Sequence, residues 1–231
     1  MIKQIFKRLQ RDDSRMVMSY EKLRTLIGLL GCLLPVILIL RFIPSCDDAE
    51  VLGSISAYYH TVSRDWFVGI IFVLAFFLYA YNGYDWKDVL TSRIASISAI
   101  FVALFPTSVD HSICDFDIHN PSQLVSSLHY LSAAIFFGAL IFFAWGLFTK
   151  SNKEQSDMTP QKRQRNVVYK LCATVMTISV ILIGVKAIVC PEIDDCRLNH
   201  YDPVFWLEVI ALEAFGISWL TKAEIIFPDK D

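Results

Sequence analysis

Six long runs of apolar residues separated by short polar connections dominate the chain: Leu26 to Ile43, Trp66 to Tyr81, Ile94 to Pro106, Leu124 to Phe148, Val167 to Val189 and Val204 to Leu220. The runs are continuous rather than alternating, which argues against strands with one wet face. They are apolar all the way round, whereas a surface helix of a soluble domain keeps a polar face. In hydrocarbon every backbone N–H and C=O must be bonded within its own segment, so such runs predict membrane-spanning helices of roughly 20 residues each. The second and third runs reach that length only with their flanks. The pattern predicts an all-α, polytopic bundle of six transmembrane helices over residues 26–220, with a basic segment over 1–25 before it and a tail over 221–231 after it.

Composition agrees with the pattern. Of the 231 residues, 55% are hydrophobic and 19% charged, and the mean hydropathy is +0.46. What lies outside the runs is too short to fold alone, and no Gly-rich phosphate loop occurs among 9 glycines. A separate nucleotide-binding, DNA-binding or kinase-like module is therefore excluded, and nucleic acid is not an expected partner.

Charge adds a direction. Of the 21 lysines and arginines, 17 fall before the first run, in the connection after the fourth or the first residues of the fifth, between the second and third, or after the sixth. The positive-inside rule makes those segments and both termini cytoplasmic, with a bacterial inner membrane as the expected setting and its lipids as neighbours. Within Met1 to Gln10, Ile2, Ile5, Phe6 and Leu9 recur at helical spacing among basic residues, the pattern of an anchor lying along the inner leaflet. The first run leads to Arg41-Phe-Ile-Pro44 rather than to a small-residue cleavage site, so it is expected to stay as an anchor.

None of the six cysteines falls in a segment assigned to the cytoplasm: Cys32 and Cys172 lie within runs, and Cys46, Cys114, Cys190 and Cys196 in the outer loops. An even number outside suits disulfides in an oxidising compartment. Four cysteines allow three pairings, of which Cys190 with Cys196 plus Cys46 with Cys114 closes the shortest loop. The two-residue spacing of zinc knuckles is absent.

All five histidines, His60, His111, His119, His129 and His200, fall in outer loops or at the outer ends of runs. His60, His129 and His200 stand at equivalent places before or at the start of the second, fourth and sixth runs. Three neutral imidazoles can hold zinc with a fourth position open, lowering the pKa of bound water toward ~7 for attack on an amide or ester. Asp110 is placed to orient a ligand or shuttle a proton, and Ser56 to stabilise developing charge. A second lead is ionisable: Glu213 lies about nine residues into the sixth run, some ~13 Å deep. Glu208 is nearer the outer surface, where it can meet Lys186 as an ion pair or along a transport path. Ala134 with Gly138 is the expected point of close helix approach. Trp66, Trp86, Trp206, Tyr58, Tyr59 and Tyr130 are assigned to interfacial belts.

Ser56-Ala-Tyr-Tyr-His60 resembles the Ser-x-x-x-His element of the alkaline ceramidase and adiponectin-receptor superfamily, zinc-dependent amide hydrolases of membranes. That likeness implies Ser56, His60 and Asp110 as site residues and zinc as cofactor. The superfamily has seven spans and a His-x-x-x-His pair on the last, where this chain has six runs and no such pair. Along most of its length the chain also resembles uncharacterised bacterial inner-membrane proteins. The shared elements are Ser54-Ile-Ser-Ala-Tyr-Tyr-His60, Asn82-Gly-Tyr-Asp85, Ala103-Leu-Phe-Pro-Thr107, His129-Tyr-Leu-Ser-Ala133, Thr159-Pro160 and Phe205-Trp-Leu-Glu208. This second likeness implies six spans and names no reaction.

Three classes of function follow. One is a metal-dependent hydrolase of lipid amides or esters at the outer face. Another is a transporter or channel working through Glu208, Glu213 and Lys186. The third is a non-catalytic envelope or partner-binding protein, including one that forms an oligomer in the membrane.

Overall fold

The computed structural model describes residues 19–46, 51–109, 118–150, 158–190 and 201–229. Its long helices are α1 (Tyr20–Phe42), α2 (Arg64–Ala80), α3 (Trp86–Leu104), α4 (Gln123–Phe142), α5 (Pro160–Val189) and α6 (Pro203–Lys222). No strand occurs among the described residues. Each apolar run lies largely within one helix, and capping side chains mark the start of three of these helices. Ser19 caps α1 by accepting the Lys22 N–H, and Thr159 caps α5 by accepting the Lys162 N–H, with Pro160 in the first turn. Asp85 and Asp88 close a reciprocal capping box on α3, so that helix begins well ahead of its apolar run.

α1 with its terminal turn (Tyr20–Ser45), α4 with its own (Gln123–Leu147), α5 and α6 are long and apolar enough to cross a membrane. α2 has 17 residues, and the first half of α3 carries Lys87, Asp88 and Arg93. Length and composition thus support four spans, where the hydrophobic pattern predicts six.

Consecutive helices run antiparallel. Ser63 Oγ at the start of α2 donates to the Leu38 carbonyl near the end of α1 at 3.0 Å, and Lys150 after α4 meets Asp85 before α3 at 2.7 Å. The two ends of the bundle therefore differ in character. Arg24, Lys87, Lys150, Lys162, Arg165 and Lys222 gather at one, the basic end, and Ser56, His60 and His129 at the other, the histidine end. Serine hydroxyls tie α3 to α2, Ser92 donating to the Leu78 carbonyl and Ser96 to that of Ala75 at 2.8 Å.

α6 packs against both α1 and α5. It crosses α1 at glycines: a Cβ on Gly216 would stand 2.7 Å from the Gly28 carbonyl oxygen and against Cys32 Sγ, and one on Gly31 would stand 2.6 Å from the Phe215 ring. Ala134 and Gly138, the pair expected to permit close approach, face outward instead, and nothing lies within 4 Å of a Cβ on Gly138. Small residues allow contact but do not specify it.

At the basic end, α4 passes into a π-helical turn, Phe143–Leu147, in which the Phe148 N–H bonds the Phe143 carbonyl at 2.9 Å. The turn delivers Phe143 and Phe148 to Trp219 and Tyr81, all four fully buried, with ring centroids 5.0 to 5.8 Å apart. The chain after Lys222 is docked rather than a free tail. Arg165 donates to the Phe227 carbonyl at 2.9 Å and pairs with Asp229 at 2.9 Å.

Candidate functional site: a chamber at the histidine end

The connection from α1 to α2 does not simply bridge the helix ends. Its second described 3-10 turn, Ser56–His60, sinks into the bundle and buries Ser56, Ala57 and Tyr58. Tyr58, expected in an interfacial belt, is fully buried against the rings of Phe42 at 5.4 Å and Phe205 at 6.3 Å. Burial pushes its phenol above the ordinary value, so the hydroxyl keeps its proton. Trp66, Trp86, Trp206 and Tyr130 are exposed, as belt residues must be.

A sunken turn brings backbone donors that need partners away from water. Glu208 of α6 supplies one, its Oε2 accepting the Ile55 N–H at 2.5 Å. Ser54 Oγ accepts the Ala57 N–H at 3.1 Å and lies 3.4 Å from Ser56 Oγ. Thr61 Oγ1 donates to the Tyr58 carbonyl at 2.9 Å. The turn is thus hung on the Glu208 side chain of α6. Lys186 has no carboxylate within 4.0 Å among the described residues, so the ion pair expected between it and Glu208 does not form. Glu208 instead accepts from the backbone of the turn. Glu213, one turn and a half further along α6, lies beside Cys32 of α1.

α3 ends at Phe105, whose extended backbone turns the chain out of the helix. The Phe105 carbonyl accepts from Nδ1 of His129 at 2.6 Å, and two residues on the Thr107 carbonyl accepts from Nε2 of His60 at 2.7 Å. A carbonyl only accepts, so Nδ1 of His129 carries a proton and Nε2 holds the lone pair of the neutral ring. Thr107 Oγ1 donates to Tyr130 Oη at 2.9 Å, and Ser108 and Ser126 share a hydroxyl contact at 2.6 Å, which locks this segment to α4.

Ser56, His129 and Glu208 line one cavity of about 60 Å³. Its walls are apolar, including Leu34, Phe67, Ile71, Phe136, Phe137 and Leu212 from α1, α2, α4 and α6. A single water needs roughly 10–15 Å³ of such space, so the chamber holds several waters or a small polar group of a larger ligand. An imidazole lone pair, a hydroxyl and a carboxylate in an apolar enclosure are the parts of proton-transfer and acyl-transfer chemistry.

His60 does not line this chamber. Among the described residues no group of three His, Cys, Asp or Glu side chains is placed to hold a metal. His60 and His129 are bonded to separate carbonyls, and the remaining expected ligand, His200, lies outside the described residues, as do Asp110, Cys114 and Cys196. The described donors by themselves do not fit a zinc site. Cys46 and Cys190 are disulfide-bonded, whereas Cys32 and Cys172 are free.

Ser56, His129 and Glu208 are each visible in the sequence, but singly and in different roles. Their convergence depends on the turn sinking between helices, and the local signal for that is the small side chains of Ser54, Ser56 and Ala57 around Ile55. Comparison with known proteins finds no matching family model, no matching curated protein and no matching solved structure. The chamber has to be interpreted from its own geometry.

Proposed function

We propose that this chain is an integral membrane hydrolase that takes the ester or amide group of an amphipathic lipid into the chamber at the histidine end. That end faces the outer side of a bacterial inner membrane, with Cys190–Cys196 and Cys46–Cys114 as its disulfides. The observation that carries the reading is the convergence of Ser56, His129 and Glu208 on one apolar-walled cavity.

Nε2 of His129 accepts the proton of the Ser56 hydroxyl as Oγ adds to the carbonyl carbon, and returns it to the departing alcohol or amine. Water then repeats the sequence on the acyl-serine, releasing the fatty acid and restoring both side chains. Glu208 holds the turn that carries Ser56 through the Ile55 N–H, and the Phe105 carbonyl keeps His129 in the tautomer that leaves Nε2 basic. The apolar walls contact the carbons next to the ester or amide group. Because the described donors do not assemble a zinc site, no step runs through a metal.

A transport reading has less support. The buried aromatic layer of Tyr81, Phe143, Phe148 and Trp219 fills the bundle toward the basic end, which leaves the chamber one-sided.

The test is fatty-acid release from a panel of lipid esters and amides by the detergent-purified full-length protein. Ser56→Ala and His129→Ala should each lower turnover by at least about 100-fold with helical content unchanged, and a fluorophosphonate probe should label the wild type and not Ser56→Ala. Undiminished turnover in both folded variants sinks the assignment. Stoichiometric metal in the wild type that disappears in a His60→Ala, His129→Ala double variant would recast His129 as a ligand.

A further inference from the structure

The basic end carries more positive charge than its carboxylates neutralise. Arg165 is matched by Asp229 at 2.9 Å and Glu224 at 3.7 Å, and Lys150 by Asp85 at 2.7 Å and Asp88 at 3.7 Å. Arg24 of α1, Lys162 of α5 and Lys222 of α6 have no carboxylate within 4.0 Å among the described residues. They settle for weaker partners. Arg24 Nη1 donates to the Lys222 carbonyl at 3.4 Å and Lys162 Nζ to the Phe148 carbonyl at 2.8 Å. Lys222, 8% exposed, has no hydrogen-bond acceptor for its ammonium among the described residues and rests over the rings of Tyr84 at 4.9 Å and Phe148 at 5.4 Å.

These three cations lie close enough to repel one another. Lys222 feels the like charges of Lys162, Arg24 and Arg165 against that of Asp88 alone. Lys222 is buried and Arg24 and Lys162 are half-buried; leaving charge unmatched away from water is costly, and three such cations on three helices have a counter-charge to receive. Unused donors point the same way. Among the described residues Arg24 Nε and the fully buried Trp219 Nε1 have no hydrogen-bond partner. Arg24 lies over the Tyr81 ring at 5.8 Å, and Tyr81 packs on Trp219 at 5.0 Å, so the orphan donors border the unmatched cations.

We propose that Arg24, Lys162 and Lys222 form a seat for a phosphate-bearing anion at the basic end of the bundle, distinct from the chamber at the histidine end. A phosphate oxygen accepts from ammonium and guanidinium together and supplies the missing charge, which a neutral headgroup cannot do. The two sources of that chemistry are the phosphodiester headgroup of an anionic lipid in the adjacent leaflet and free phosphate.

The thermal midpoint of the full-length protein in a neutral detergent tests the seat. Phosphatidylglycerol in mixed micelles should raise the midpoint by about 3 °C or more over the same amount of phosphatidylcholine, and the gain should vanish in Lys222→Met and in Lys162→Met. Lys222→Met alone, freed of an unmatched buried charge, should melt no lower than the wild type without lipid. A comparable gain from inorganic phosphate, absent with sodium chloride of equal ionic strength, identifies free phosphate as sufficient. No gain with either phosphate source, a gain equalled by chloride, or a gain undiminished in folded Lys162→Met overturns the proposal.

Discussion

The two ends of this bundle solve opposite problems. At the histidine end the helices are held apart by a sunken turn, and the space they leave is walled with Leu, Ile and Phe but carries one imidazole, one hydroxyl and one carboxylate. At the basic end the same helices close on a solid aromatic layer around Trp219, and the charges sit just beyond it. A dense region confers stability, because every aromatic face has a partner, whereas an open one forgoes those dispersion contacts. The contrast teaches where to look for chemistry: emptiness lined with a few oriented polar groups costs stability, and it persists where something is meant to enter.

The largest way to break the contrast is to hollow the dense end. Trp219→Ala should lower stability by about 3–5 kcal/mol, measured by denaturant unfolding in detergent. Phe137→Ala, on a wall that already borders space, should cost clearly less. Equal losses would mean that the two ends are packed alike.

Next in size is the helix crossing that joins the ends. Gly216→Ala sets a methyl against Cys32 and the Gly28 carbonyl and should cost about 1–3 kcal/mol. Gly138→Ala, with open space around it, should be neutral or slightly stabilising.

Filling the chamber sharpens the contrast from the other side. Ala133→Val adds two methyl groups to the cavity wall and should leave stability unchanged or raise it by up to about 1 kcal/mol. Lipid hydrolysis should be lost at the same time. A variant that retains full turnover would separate the chamber from the reaction.

The smallest effect is electrostatic. The Lys150 ammonium beside Asp85 holds that carboxyl down at about 2, against an ordinary 3.8. A depressed carboxylate stabilises the fold above its ordinary value, and the contribution is lost as pH falls from 3.8 toward about 2. Both partners are over one-third exposed, so the loss is slight and screened by salt. Lys150→Met should flatten the thermal midpoint over that window and leave it unchanged near neutrality.

The helices were legible because each holds a continuous apolar run, and for three of them the start is also written in a capping side chain: Ser19 before α1, Asp85 before α3, Thr159 before α5. The run of α3 underestimates its helix because Trp86 to Arg93 is polar enough to look like a loop, yet the capping box at Asp85 and Asp88 makes it helical. The site was legible only in part. His129 and Glu208 stood out as polar residues near the starts of apolar runs, but that both face one cavity with Ser56 depends on a turn sinking between helices. Nor does sequence distinguish Gly216, wedged against α1, from Gly138, facing outward, since both are glycines in apolar helices. Lys222, Lys162 and Arg24 served only to orient the chain, because a missing counter-charge is a property of neighbours in space.

The π-helical turn at Phe143–Leu147 fixes chain length as well as shape. Such a turn holds one residue more than an α-helical turn, so everything after it is rotated by about 100° relative to a continuous α-helix. Removing a single residue there, for instance Gly146, would restore regular α-helix and carry Phe148 off the Trp219 ring, along with the carbonyl that receives Lys162. Substitutions within the turn can be absorbed by repacking, but insertions and deletions cannot, so this stretch should tolerate changes of identity while its residue count stays constant.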